Sequence, residues 1–279
     1  MAKNKKFELL PFWIASFVIT ILTLVYQKAT GPTYDKQLDV EIHGKAYDFD
    51  LPRSYEQHDA PLALYVPDES VSADLFWRKF PTNDDYTQVA FERIGDTLKA
   101  LLPEQDPAGK LQYYLELHSG GENAKVYDMD DPVVIRFKGH VPIWVLRIHI
   151  FLMFAAMFLS NMAGVLALRK HPKFFFYSIL TLIFFFFGGM ILGPIVQKYA
   201  FGVYWSGVPL GWDLTDNKVL ISFLVWLIAV LANIKRARYW ICVIAAAILI
   251  VIYAIPHSTM GSERDPETGK LGTSEKFMD

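Results

Sequence analysis

Apolar and polar positions are distributed along this chain in two distinct patterns. Five stretches are almost continuously apolar: Leu9 to Gln27, Val141 to Leu168, Phe174 to Val196, Val219 to Ile234 and Tyr239 to Ile255. Each is long enough, or nearly so, to cross a hydrocarbon core of about 30 Å, which takes roughly 20 helical residues. Between the first and second, Lys36 to Phe137 alternates apolar and polar residues in short runs, the period-2 signature of half-buried strands. In LDVEI, Leu38, Val40 and Ile42 share one face while Asp39, Glu41 and His43 share the other. A turn at Gly44 leads into KAYDFDL. Further strands are expected at 61–66, 75–80, 86–94, 98–102 and 132–137, with a hairpin of KLQYYLEL and AKVYDM around Ser119-Gly120-Gly121-Glu122.

The fold class expected is an integral membrane protein, α-helical with five transmembrane helices, carrying an inserted all-β, sandwich-like extracytoplasmic domain. Its parts are an N-terminal membrane anchor helix (1–29), the β domain (30–140), a four-helix transmembrane domain with an aromatic outer loop at 197–218 (141–257), and a flexible extracytoplasmic tail (258–279). The first stretch is read as a retained anchor, because no small-x-small cleavage site follows it in YQKATGPTYD.

Charge sets the expected orientation. Lys3, Lys5, Lys6, Arg169, Lys170, Lys173, Lys235, Arg236 and Arg238 all fall in short segments on one side of the five stretches, the side that basic residues mark as cytoplasmic. Residues 28–140, on the other side, hold 21 acidic against 12 basic side chains, a net of −9. The N-terminus is therefore expected inside, with 30–140 and the C-terminus outside, in the manner of a bacterial inner-membrane protein. The formal net charge of −2 over 279 residues conceals this division.

Composition narrows the chemistry. At 53% hydrophobic and 15% aromatic residues the chain is not disordered. Its single cysteine, Cys242, excludes an internal disulfide framework and Cys-rich metal sites. No nucleophile–base pattern, G-x-S-x-G, H-E-x-x-H or phosphate loop occurs, and no catalytic residue is assigned. The acidic exported region disfavours nucleic acid as a partner. Asp39, Glu41 and His43 are read as a solvated strand face in preference to a metal site, and Asp128 to Asp131 lacks the spaced ligands of a calcium loop.

Two local resemblances add to this reading. Residues 102–121, LPEQDPAGKLQYYLELHSGG, resemble a strand pair of fibronectin type III or immunoglobulin-like domains, which implies a binding or spacing module. In the loop 197–218, Phe201-Gly202-Val203-Tyr204-Trp205, then Gly211-Trp212-Asp213, is similar to the tryptophan-rich loop of haem-handling proteins of c-type cytochrome biogenesis. Phe201 stands at that motif's first tryptophan, an insertion precedes Trp212, and Leu214 replaces its proline. The resemblance implies haem as a cofactor, with Trp205, Trp212 and Asp213 over it and His140 and His257 as the flanking histidines.

Ionisable residues inside apolar spans are functional suspects because burying them in hydrocarbon is costly. The second stretch holds Arg147 and His149, about 200° apart on a helix and so on opposite faces. His149 is read either as a haem ligand or proton-handling group, or as a hydrogen-bond donor to a neighbouring helix. The loop residues have a plainer alternative too: an aromatic belt at the bilayer boundary, with Asp213 or Thr215 capping the next helix. Asp216 and Asn217 complete the set. The expected role is an accessory, assembly or scaffold subunit that contacts the lipid bilayer and other envelope or membrane-complex proteins. The alternatives are haem or metal handling and, third, a transporter component.

Overall fold

The computed structural model describes residues 9–30, 34–56, 58–119, 122–125, 131–255 and 261–273, which form two compact units, one helical and one of β-sheet. The helical unit contains α1 (Leu10–Thr30), α2 (Ile143–Leu168), α3 (Phe174–Phe185), a π-helical turn (Phe186–Leu192), α4 (Gly193–Phe201), α5 (Leu214–Asn233) and α6 (Tyr239–Ala254). α3, the π turn and α4 are continuous, so α1, α2, Phe174–Phe201 and α5 are four helices long and apolar enough to cross a membrane. The fifth stretch falls short of expectation. α6 has 16 residues, a rise of about 24 Å. It ends because Ile255 is extended, the conformation imposed on a residue that precedes proline.

α2 packs on α3 and α6, and α5 closes the ring by packing on both α3 and α6. Ala156, Met157, Phe185, Trp226, Cys242 and Leu249 fill the interior. Gly164 lets α2 and α6 approach closely, since a Cβ there would lie 2.5 Å from Ala246 Cβ. α1 lies against α2 and α6 within the helical unit. Its buried positions are polar, Ser16, Thr20 and Thr23, while Ile14, Phe17, Val18 and Ile21 face outward. Each of the three hydroxyls donates to a carbonyl four residues back, and Asn161 of α2 donates to Thr20 Oγ1 at 2.9 Å. Small and hydroxylic residues hold helices together where the surroundings are as apolar as the side chains.

The β unit follows the expected strands closely. β1 (Lys36–Ile42) and β2 (Lys45–Leu51) form a hairpin. Its two-residue turn places His43 and Gly44 at positive φ, as a type I′ turn requires. β3 (Ser54–Glu56), β5 (Val71–Lys79), β6 (Thr87–Ala90), β9 (Lys110–Ser119), β10 (Glu122–Lys125) and β11 (Val133–Lys138) make a six-stranded sheet with β9 at its centre. β4 (Ala60–Tyr65), β7 (Glu92–Ile94) and β8 (Thr97–Leu102) make a second sheet. One apolar core, including Leu51, Leu64, Leu75, Leu98, Leu115 and Phe137, is shared among these sheets and the β1–β2 hairpin.

Two features depart from expectation. The run 86–94, read as one strand, is two: β6 pairs with β5, β7 pairs with β8, and buried Phe91 sits where the chain leaves one sheet for the other. Arg93 fixes the crossing by donating to the carbonyls of Val66, Asp68 and Val71. The tail, expected to be flexible from 258 onward, carries an ordered hairpin. β12 (Ser262–Arg264) pairs with β13 (Leu271–Thr273), and Asp265 accepts from the backbone N–H groups of Glu267 and Thr268 in the turn. Glu263 makes an ion pair with Lys110, and Arg264 donates from Nε to the Pro107 carbonyl at 3.1 Å.

Replacing Phe91 by Ala removes the side chain that joins the two sheets at the crossing and should destabilise the β unit by about 3 kcal/mol, the scale for deleting a buried phenyl. A urea melt monitored by tryptophan emission checks this. A second expectation concerns Asp68, whose Oδ1 accepts from Ser70 N at 3.0 Å and Ser70 Oγ at 2.6 Å. Those bonds, with His43 beside it, lower its pKa from 3.8 to about 2. A depressed carboxylate stabilises the fold above its ordinary pKa and ceases to as pH falls through the lowered one. The 68–71 turn should therefore weaken between about pH 3.8 and pH 2. The Asp68 carboxyl resonance should titrate near the lower value.

Candidate functional site

The helical unit concentrates its buried polar chemistry around the π turn and the loop from Gln197 to Lys218. The π turn has a steric origin. A Cβ on Gly188 would lie 2.9 Å from Leu152 Cβ, and one on Gly189 would lie 2.8 Å from Val219 Cγ1. The two glycines thus let this segment press against α2 on one side and α5 on the other. The wider π winding gives the Gly188 carbonyl a partner in Gly193 N–H. His149 Nδ1 adds a second donor to the same oxygen at 2.9 Å. π turns of this kind interrupt α-helices frequently at functional sites. Arg147, two residues earlier, is exposed, as the expected opposition of the two side chains requires.

The loop is built around Asp216. This carboxylate, in the first turn of α5, is buried, and its Oδ2 accepts four hydrogen bonds. The donors are Gln197 Nε2 (2.9 Å), Ser206 N (2.7 Å), Ser206 Oγ (3.2 Å) and Gly207 N (3.1 Å). Asn217 Oδ1 accepts from Val208 N at 2.7 Å. Asp213, also buried, is the N-cap of α5 and accepts from Thr215 N at 2.8 Å and Asp216 N at 3.2 Å. Gly207 must be glycine, because a Cβ there would meet Asn217 Oδ1 and Asp216 Cβ at 2.7 Å each. Lys218, one residue further along, is buried and donates from Nζ to the Ile255 carbonyl at 2.7 Å, so the start of α5 is tied to the end of α6.

Backbone amides and carboxylates are thus matched inside the loop, and its apolar side chains are turned outward. Leu210 is 76% exposed and Trp212 67%, with Tyr204 and Val208 beside them in sequence and also exposed. Trp205 is half-buried and donates from Nε1 to the Val208 carbonyl at 3.1 Å. From Tyr199 to Trp212 there is no charged residue.

His149 belongs to the helical unit. His140 belongs to the β unit, where its Nδ1 lies 3.1 Å from Glu56 Oε2. His257 lies outside the described residues. Among the described residues no three His, Cys, Asp or Glu side chains converge as a metal-ligand group. Asp213 and Asp216 are occupied by the backbone they hold. Sequence reasoning found Asp213, Asp216 and Asn217, but not the roles of Gln197, Ser206, Gly207 or Lys218. Nothing in a single sequence says that a glutamine and a serine nine residues apart will meet one carboxylate. Compared with known proteins, the chain matches no family model and no characterised sequence.

Asp216→Ala leaves two buried backbone N–H groups without an acceptor, each costing roughly 1–3 kcal/mol. The loop should then open locally. Chymotrypsin cleavage after Tyr204, Trp205 or Trp212 in detergent micelles should become faster by at least tenfold, while cleavage elsewhere should be unchanged.

Proposed function

We propose that this chain is a multi-pass protein of a bacterial inner membrane and acts as a non-enzymatic accessory, assembly or scaffold subunit of an envelope complex. Its N-terminus is cytoplasmic, α6 makes the fifth crossing despite its length, and the β unit lies outside, where it engages other proteins of the complex. In this reading the β unit is an immunoglobulin-like or fibronectin-like binding module.

The observation that supports it best is the construction of the 197–218 loop. Its polar groups are directed to its own backbone and none of its carboxylates faces outward, so it is a frame and not a reaction centre. What it presents is a rigid, uncharged set of large side chains, Tyr204, Val208, Leu210 and Trp212. Preorganised aromatic and aliphatic anchors of this kind are what protein interfaces concentrate their binding energy on. The helical interior supports the same reading. Its buried hydroxyls at Ser178, Thr181 and Ser222 donate to carbonyls four residues back in their own helices.

A second reading, cofactor handling at His149, draws on one observation. The Nδ1–H to Gly188 carbonyl bond fixes the ring orientation and tautomer, the arrangement that metal-ligating histidines typically show.

Gentle extraction from the native membrane separates the two. The scaffold reading predicts partners that stay bound through purification and are lost when residues 34–138 are deleted. It fails if the intact chain isolates alone. The cofactor reading predicts a haem absorption band or near-stoichiometric metal, diminished in His149→Ala.

A further inference from the structure

A second cluster lies in the β unit and includes His43, which the sequence places on a solvated strand face. The β1–β2 turn carries His43, the end of β9 carries Ser119, and the segment before β5 carries Asp68. Register brings them together: β9 pairs with β5 such that Ser119 lies opposite Val71, three residues beyond Asp68. Ser119 Oγ is 2.5 Å from His43 Nε2, and His43 Nδ1 is 3.1 Å from Asp68 Oδ2. Asp68 is itself held through its other oxygen by the backbone and hydroxyl of Ser70.

The order of contacts decides the proton positions. An ionised carboxylate only accepts hydrogen bonds, so His43 Nδ1 carries the proton and Nε2 presents its lone pair on the side of the serine. That is the tautomer a general base for a serine hydroxyl needs, and the carboxylate that fixes it is the third member of a nucleophile–base–carboxylate arrangement. His43 is the first central residue of the β1–β2 turn, at a φ of 50°, so the hairpin turn sets where the imidazole emerges. The hydroxyl is also 3.4 Å from Nδ1, so it lies toward the Cε1 edge of the ring. A turn of the half-exposed imidazole brings Nε2 into line, a tightening that catalytic hydrogen bonds commonly undergo when substrate binds. Ser119 itself is only 6% exposed, beneath that ring.

We propose that Ser119, His43 and Asp68 form a reactive-serine relay that cleaves an uncharged acyl ester, an activity additional to the scaffold role. Ester chemistry follows from the nucleophile and base. Absence of charge on the substrate follows from the surroundings: Glu41 lies two residues before His43, Glu69 follows Asp68 and Glu116 lies three residues before Ser119, within a region of net charge −9, which repels anions. In the first half-reaction Ser119 Oγ bonds to the acyl carbon while His43 Nε2 takes the hydroxyl proton. The bond from acyl carbon to alcohol oxygen then breaks, and the alcohol leaves with that proton. In the second, water loses a proton to His43 and adds to the acyl carbon. The carboxylic acid departs, and Ser119 regains its proton.

The full chain in detergent micelles, treated with a fluorophosphonate probe, tests this. Labelling should fall on Ser119, disappear in Ser119→Ala, and slow by roughly 100-fold or more in His43→Gln, the scale of general-base assistance. Asp68→Asn should slow it as well, and p-nitrophenyl acetate hydrolysis should follow the same order. In the unsubstituted protein, labelling should be faster at higher pH, as base-assisted attack requires. That profile needs no variant to fold. An unlabelled Ser119 in folded protein, or labelling that is independent of pH and of His43, would overturn the proposal and leave the three residues as a tie between the β1–β2 turn and β9.

Discussion

The helical unit is governed by one requirement: a backbone polar group withdrawn from water must find its partner within the protein. In the straight parts of α1, α2 and α5 the helix itself meets that requirement, and the buried hydroxyls of Ser16, Thr20 and Ser222 add a second donor to carbonyls already in use. Where the winding or the chain direction changes, side chains supply what the helix cannot. At the π turn, His149 reinforces Gly188. Between α4 and α5, a single carboxylate, Asp216, takes up two amides, a hydroxyl and a glutamine. At the end of α6, the carbonyl of Ile255 meets Lys218. These three polar residues all act on irregular backbone, and each is placed by a neighbouring element, so the irregularities are fixed features of the fold.

The β unit solves a different problem, the enclosure of one core by sheets that share no ladder. Its solution is a chain that changes sheets at Phe91. β6 ends the larger sheet, β7 begins the smaller one, and the phenyl ring between them is buried in the common interior. Arg93 then crosslinks the crossing to the 66–71 segment through three carbonyls. The same segment holds Asp68. Thus the geometry that joins the sheets also positions the carboxylate beside the β1–β2 turn.

Much of this was legible in the sequence, and the misses have definite causes. Period-2 alternation located nearly every strand because burial and exposure do alternate along them, as in β4 and β11. It could not locate the change of sheets, since Phe91 preserves the apolar phase across the break. β3, with three residues, is too short to show a period. The ordered tail had a readable signal, Asp265-Pro266-Glu267-Thr268-Gly269, a turn composition with a mechanism, between flanks too short to register as strands. Gly188 and Gly189 in the third span are of the residue type that permits close helix approach. Their consequence, a π turn, depends on Leu152 and Val219 of other helices and is not a local property. Asp213 was recognisable as a cap from its place before an apolar run. The role of Asp216 was not, because its donors come from nine, ten and nineteen residues away.

The two half-buried histidines, His149 and His43, show why residue type alone underdetermines chemistry. In each, Nδ1 is the anchored nitrogen, bound to a carbonyl in one case and to a carboxylate in the other. The consequence differs. A carbonyl orients the ring and fixes its tautomer, leaving Nε2 as a neutral donor atom. A carboxylate does the same and also places a negative charge beside the ring whose Nε2 would accept the proton. Of the two, only His43 has both the stabilising anion on one nitrogen and a hydroxyl against the other. The proposed proton transfer therefore rests on the turn at His43, on the β unit. His149, in the apolar helix α2, has its ring oriented by a carbonyl on one nitrogen.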